Sequence, residues 1–332
     1  MAVPDPPPPH DLLADQARQN RTTLGQWGMF QAHRWRVGRF LVPRAPGVER
    51  LCVLGAGNCN DLDLAWLAEV YREVHLVDID PAALAGAVER QEVAGNERVR
   101  RHAPVDLSGI ADLVARWAGR GPDEVEIDAC VERLAGPTNG VQDQDPSSRA
   151  CERSPCLSGP TGHRDPSQAR DDAGGVPAPP GAVRVPGPFD VVLSSCLLSQ
   201  LIEPVHRLVG KGHLKLGALS AGMRLHHLRG IVDLLAPGGR AVLALDVATS
   251  DRCPELARAK ERELPDLMRH LLGAGRAFSA LDPAVLLEVL RRHPQVAPRV
   301  EDVRVSAPWV WHMGVRRCFL VYGLEFRRRR DL

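Results

Sequence analysis

Leu51-Cys52-Val53-Leu54-Gly55-Ala56-Gly57-Asn58-Cys59-Asn60-Asp61-Leu62 is the stretch on which the fold turns. Its first four residues make a short apolar run of the length of a buried strand, closed by Gly55. Gly55 and Gly57, one residue apart, allow a tight turn and let a ligand approach the backbone closely. Asn60 or Asp61 is placed to cap a helix expected over 61–71. A second apolar run, His75-Leu76-Val77-Asp78, ends in an acid 21 residues after Gly57. A carboxylate there can accept hydrogen bonds from both hydroxyls of a ribose. The competing role is a turn or helix cap, for which Asp80 is also placed. Asp80-Pro81 opens a helix of about 81–95, the proline sitting at the first helical position.

The same rhythm continues outward. A third strand is expected over Val99–His102 and a helix over 107–118. Phe189–Leu193 and Arg240–Asp246 read as strands, and a helical region of about 215–236 stops at Pro237-Gly238-Gly239. Helices follow over about 254–272 and 283–292. The chain closes on two apolar stretches, Val300–Val310 and Arg317–Phe326, joined around Met313-Gly314 as an antiparallel pair. Strands alternating with helices imply an α/β fold, a doubly wound, mostly parallel, seven-stranded sheet with helices on both faces and a C-terminal antiparallel hairpin. Residues 11–46 read as an N-terminal helical extension ended by Pro43 and Pro46, and residues 1–10 as a Pro-rich disordered start. Residues 136–188 are rich in Gly, Pro, Ser, Asp and Arg and hold one Leu and no Ile or Met. They bury too little apolar surface to offset ordering entropy and are expected to be a disordered insertion within the 47–332 domain.

Two cofactor classes use a glycine turn followed by an acid on the next strand. A dinucleotide site needs Gly-x-Gly-x-x-Gly, and Asn60 holds its third glycine position. Asp61 and Asp63 would also repel a pyrophosphate at the helix start. S-adenosylmethionine has no phosphate and carries a sulfonium and an ammonium, so acids near its methionine end are favourable. Asp61 or Asp63 is placed to meet the ammonium, or else serves as an N-cap or first-turn acid.

At this point the chain resembles a class I S-adenosylmethionine-dependent methyltransferase over about residues 48–326, less the insertion. Val53-Leu54-Gly55-Ala56-Gly57 resembles the family's first motif and Val77-Asp78-Ile79-Asp80 its second, with Asp78 as the ribose ligand. Val105-Asp106-Leu107 resembles the third, whose acid meets the adenine amino group. Phe189-Asp190-Val191-Val192-Leu193-Ser194-Ser195 resembles the fourth, and Leu234-Leu235-Ala236-Pro237-Gly238-Gly239-Arg240 the turn before the fifth strand. The terminal hairpin matches the antiparallel seventh strand that separates this family from dinucleotide folds. The resemblance implies S-adenosyl-L-methionine as cofactor. It would be held by Gly55, Ala56, Gly57, Asn58 and Asp61 after the first strand, by Asp78 and Ile79 after the second, by Asp106 and Leu107 after the third, and by Ser194 and Ser195 after the fourth. Val53 stands where the family usually has an acid, and Cys59 where it has a third glycine. One expected contact to the methionine amine is therefore missing or supplied by Asp61.

Methyl transfer is an in-line displacement that rests on positioning and desolvation, so no catalytic residue and no metal is assigned from sequence. Ser194–Gln200 lacks the Asn/Asp-Pro-Pro-aromatic pattern of many amine methyltransferases, which disfavours a base or exocyclic amide nitrogen recognised in that way. Gln200, Glu203, His206, His226 and His227 are candidate general bases, though a surface or satisfied histidine is the commoner role. Trp309, Trp311 and His312 line an acceptor pocket or pack the core. Trp27, Trp35 and the arginines of the N-terminal region bind an anionic acceptor or form a solvated helix face. The acceptor is open between a small molecule and a protein side chain. An NAD(P)-dependent oxidoreductase and a non-catalytic protein that kept the fold are the alternatives.

Forty-two Lys and Arg against 41 Asp and Glu leave a net charge of +1, so no global field calls for nucleic acid or a membrane surface. No stretch approaches the roughly 20 apolar residues of a membrane span, no signal peptide is read, and a cytoplasmic protein is expected. Arg327–Arg330 reads as a solvated tail. Cys52, Cys59, Cys196 and Cys318 read as buried free thiols, and Cys151 and Cys156 lack the neighbours of a zinc site.

Overall fold

Period-two side-chain alternation places each apolar run of the sequence between two layers of helices. In the computed structural model, which describes residues 12–118, 120–136, 185–210, 212–313 and 317–330 (backbone only for Leu12 and Leu13), Arg50–Leu54 forms β1. Leu51 and Val53 point to one layer, Cys52 and Leu54 to the other. Glu73–Val77 is β2, Val99–His102 β3 and Phe189–Ser195 β4. Leu235–Thr249 is β5, followed by β6 over Val300–Val305, β7 over Trp309–His312 and β8 over Cys318–Arg328. They form one sheet in the order β3-β2-β1-β4-β5-β8-β6, with β7 also on β8. Strands β1 to β5 are parallel, and β8 runs antiparallel between β5 and β6.

The sheet has eight strands rather than seven. The expected single strand 300–310 breaks at Ser306-Ala307-Pro308, and its halves pair in turn with β8. Pro308 has no N–H to offer a ladder, while the Ser306 hydroxyl takes over by accepting from Gly323 N at 2.8 Å. The Pro237-Gly238-Gly239 turn lies inside β5, looped out between the Phe189–Leu235 and Val191–Arg240 pairs. A Cβ at position 239 would lie 2.9 Å from the carbonyl oxygens of Ala236 and Phe189, so only glycine lets the strand pass there.

The helices are α1 Leu12–Thr23, α2 Gln31–Phe40, α3 Leu64–Val70, α4 Pro81–Arg90 and α5 Ala111–Trp117. They continue as α6 Glu124–Ala135, α7 Leu197–Val209, α8 Leu216–Leu234, α9 Leu264–Gly273 and α10 Pro283–Arg292. Helix α3 starts at Leu64, not 61, because Asp63 supplies the N-cap by accepting from Trp66 N at 3.0 Å. Asp80 caps α4 as read, accepting from Ala82 N at 3.0 Å and Ala83 N at 3.1 Å. The expected helix 254–272 begins only at Leu264, after two 3-10 turns over Pro254–Arg258 and Glu261–Glu263. Helices α6 and α7 have no counterpart in the sequence reading. Helix α6 is announced by the capping box Asp123–Glu126 and by Ile127, Cys130 and Leu134 on its buried side. Helix α7 carries Pro204 in its interior, which reads as a breaker.

Two apolar clusters flank the sheet. One draws on α5 to α10, and the other on α2, α3, α4 and the two tryptophans of β7. Helix α2 is part of the second layer. Arg240 on β5 donates through Nη1 to Phe40 O and through Nη2 to Val42 O at 2.8 Å, and Tyr71 donates to Leu41 O at 2.6 Å. These bonds satisfy carbonyls that the helix end leaves open. Arg240→Ala is expected to lower unfolding stability by about 1.5–2 kcal/mol, the scale of hydrogen bonds from a charged donor. Urea denaturation reads the loss, and an unchanged midpoint would show that the clamp contributes nothing.

The expected disordered start, 1–10, lies outside the described residues, as does all of 136–188 except Gly136 and 185–188. Among the described residues no helix is long and apolar enough to cross a membrane. Cys52, Cys59, Cys196 and Cys318 are buried free thiols, as read.

Candidate functional site

The carboxyl ends of β1, β2 and β3 open into a cleft that is continuous with solvent. Gly55, Asp78, Ile79, Asp106 and Leu107, all expected from sequence, line it together. Val105 and Ser108 complete that wall. Gln16 from α1 and Leu197 and Leu201 from α7, none anticipated, also line it, together with Gln200, which the sequence had marked as a candidate base.

The turn after β1 is left-handed at three places, Gly55 (φ 69°), Gly57 (φ 47°) and Cys59 (φ 50°). Cys59 therefore adopts the conformation of the glycine that the family pattern has there, at some backbone cost. A Cβ at Gly55 would stand 2.7 Å from Leu197 Cδ1, so the floor of the cleft requires glycine on two counts. Gly55→Ala is expected to cost about 1–2 kcal/mol from the φ alone and to narrow the cleft against Leu197. Thermal melting with ligand titration reads both effects, and a wild-type profile would contradict this account of the turn.

Asp78 is 3% exposed. Its Oδ2 accepts from Gly57 N at 2.7 Å and its Oδ1 from Asp80 N at 2.8 Å. The acid thus ties the glycine turn to the β2 end at the wall of the cleft. Burial pushes its carboxyl above the usual range, the two backbone donors pulling the other way. Asp106 accepts from Ser108 N at 2.8 Å and Ala111 N at 3.0 Å, which fixes the loop after β3 at the cleft edge.

Helix α1 holds the glycine turn in place. Asn58 donates to Asn20 O at 2.5 Å and Thr23 Oγ1 at 3.0 Å, and Asn60 donates to Thr23 O at 2.8 Å. These side chains cap the open carbonyls of the α1 end, so Asn58 faces α1 and not the cleft. Asn20 in turn donates to Asp80 Oδ2 at 2.9 Å. Ala56 is buried and adds its N–H to Val77 O at 3.1 Å.

Ser194 and Ser195 point to opposite faces of the sheet. Ser194 Oγ lies 2.9 Å from His227 Nε2 in the α8 layer, where burial drives the imidazole down to about 3 and keeps it neutral. Ser195 Oγ, on the α2 side, is buried and faces Asp61 without meeting hydrogen-bond geometry to any described residue. Asp61 is half-buried, and that burial pushes it up, offset in part by Ser195 and by Arg34. Of the candidate bases, Gln200 alone lines the cleft, where it donates to Cys196 O at 3.0 Å. His206 bonds Ser220 at 2.7 Å. Trp309 and Trp311 are 4% and 8% exposed, Trp309 donating to His33 and Trp311 stacking on His33 and Phe319. They therefore pack the core of this face. Trp35 is 58% exposed under Arg36 and Arg39, a solvated face.

No family model and no curated protein matches the chain. Among solved structures, an N-methyltransferase, NodS, from Bradyrhizobium japonicum is 12% identical over 96% of this chain and 99% of its own, with a TM-score of 0.43. An rRNA methylase from Streptococcus thermophilus is 11% identical over 88% and 93%, TM-score 0.36. An arsenic(III) S-adenosylmethionine methyltransferase from Chlamydomonas reinhardtii is 15% identical over 86% and 64%, TM-score 0.34. At these scores the likenesses add nothing to the strand order itself. That order, with antiparallel β8 inserted between β5 and β6 and a glycine turn joined to a buried acid at the β1 and β2 ends, is the class I methyltransferase fold.

Proposed function

We propose that the chain binds S-adenosyl-L-methionine in this cleft and transfers its methyl group to an acceptor. The observation that carries the reading is the direct bond from Gly57 N to Asp78 Oδ2, which joins the turn and the acid into one nucleoside-sized seat. The antiparallel β8 supports it against a dinucleotide oxidoreductase, whose doubly wound sheet runs β3-β2-β1-β4-β5-β6 in parallel.

The side chains fit the cofactor. Asp78 would accept from the two ribose hydroxyls, Ile79 and Leu107 would hold the adenine, and Asp106 would take its amino group. Gly55 would leave room for the thioether arm, and Asp61, the acid after the glycine turn, would meet the ammonium. Bound, the cofactor supplies an electrophilic sulfonium methyl. The protein's part is to hold that methyl in line with an acceptor and to exclude water, tasks suited to Leu197 and Leu201 on α7.

Calorimetry on the full chain with S-adenosylmethionine, S-adenosylhomocysteine, NAD and NADP tests the reading. Binding of the first two with no response to the dinucleotides is expected. Dinucleotide binding without a response to S-adenosylmethionine would overturn it.

A further inference from the structure

Beyond the nucleoside cleft, at the carboxyl ends of β4 and β5, stands a second acid that the cofactor does not account for. Asp246 lies on β5 two residues past Ala244, the register partner of Ser195, and on the same sheet face. The two α-carbons are about 8 Å apart by strand geometry. Asp246 is half-buried. Its Oδ1 accepts from Ser199 Oγ at 2.7 Å, and the same hydroxyl oxygen lies 3.1 Å from Cys196 O, which anchors the carboxylate to the first turn of α7.

Three carboxylates, Asp61, Asp78 and Asp246, surround this end of the sheet, and none has a salt-bridge partner among the described residues. Arg317, the cation acting on Asp246, is itself paired with Asp251 at 3.1 Å. The cation nearest Asp61, Arg34, donates to Trp27 O and Asn60 O and stacks on Trp27. Buried charge is retained when a partner arrives to compensate it. Asp78 is matched by ribose hydroxyls and Asp61 by the cofactor's ammonium, which leaves Asp246. On the same sheet face sits Ser195, 7% exposed, its buried hydroxyl turned toward Asp61 without meeting hydrogen-bond geometry to a described residue.

We propose that Asp246, with Ser199 and the unpartnered Ser195, seats a cationic amine as the methyl acceptor. The proposal rests on the cofactor reading above and deepens it. The ammonium gives one proton to the Asp246 carboxylate, which frees the nitrogen lone pair. That pair forms the bond to the methyl carbon as the carbon–sulfur bond breaks, and the sulfur keeps the bonding electrons as a neutral thioether. The product leaves as a methylated ammonium. Burial, with Val321 as its register partner on β8, favours proton capture by raising the basicity of Asp246.

The test uses the full chain saturated with S-adenosylhomocysteine and matched probes: phenethylamine, 2-phenylethanol and 3-phenylpropionate. Tryptophan emission reads binding, and transfer of labelled methyl from S-adenosylmethionine reads turnover. The amine is expected to bind at least tenfold more tightly than the alcohol or the acid. Asp246→Asn should abolish that preference and leave S-adenosylhomocysteine affinity, measured alone by calorimetry, within twofold. Ser199→Ala, which keeps the carboxylate, should weaken amine binding a few-fold and serves as a milder second variant. Equal or better binding of the alcohol or acid, an amine preference intact in Asp246→Asn, or no response to any probe in protein that binds S-adenosylhomocysteine would overturn the proposal. Failure to bind S-adenosylhomocysteine at all would overturn the cofactor reading beneath it.

Discussion

Asp78→Ala is expected to weaken S-adenosylmethionine binding by about 1–3 kcal/mol, a five- to 150-fold loss, because hydrogen bonds from ligand hydroxyls to a charged acceptor carry that much. A second loss comes with it in the free protein. Truncation orphans Gly57 N and Asp80 N, both of which now donate to the carboxylate in a buried setting. An unsatisfied buried donor costs about 1–3 kcal/mol, so unfolding stability should fall by roughly 2–4 kcal/mol. Asp78→Asn separates the two effects. Its amide oxygen can serve one donor, but its NH₂ must face the other, so stability should fall less than in the alanine variant while binding falls nearly as far. Calorimetry and urea denaturation of the three proteins check this. Wild-type affinity in Asp78→Ala would remove the acid from the site, and wild-type stability would show the Gly57 bond to be dispensable.

The proposed nucleoside seat was legible because its parts are local. A glycine turn that closes a strand, and an acid at the end of the next strand, are neighbours by topology once the strands are parallel, and Gly55, Asp78, Ile79, Asp106 and Leu107 do line one cleft. What escaped was non-local. Asn20 reaches Asp80 across 60 positions of sequence, and nothing around Gln16 or Asn20 marks α1 as the clamp of the glycine turn. Helix α7, which supplies the far wall, was hidden by Pro204. The serines that end β4 were read as a pair, yet the pleat sends Ser194 to His227 and Ser195 toward Asp61. Asn58 was read as a ligand group for its place in the motif, and its side chain is spent on the end of α1. Asp246 ended an apolar run and looked like a strand terminus. Only the register of β4 against β5 puts it beside Ser195.

That placement has a measurable cost in the free protein. Burial, opposed by the bond from Ser199 and by Arg317, pushes the Asp246 carboxyl from its ordinary 3.8 up to about 7. Below about pH 4 the group is protonated in both folded and unfolded chains and exacts nothing. Between about pH 4 and 7 the unfolded chain releases the proton while the folded chain retains it, so the stability contribution is lost as pH rises through the folded value. The gap spans about three units at about 1.4 kcal/mol each, which sets a ceiling near 4 kcal/mol, and partial exposure reduces the expected loss to roughly 2–3 kcal/mol. Asp246→Asn removes this titration. Its stability relative to wild type should therefore climb by that amount from pH 4 to about pH 8 and stay level above, whereas Asp61 and Asp78, present in both proteins, cancel from the difference. Urea denaturation at four pH values measures it, and a flat difference would mean that Asp246 is ionised throughout and needs no cation. If the difference does climb, phenethylamine at pH 8 should stabilise wild type and not Asp246→Asn, since only an ionised carboxylate held out of water gains from a cation brought to it.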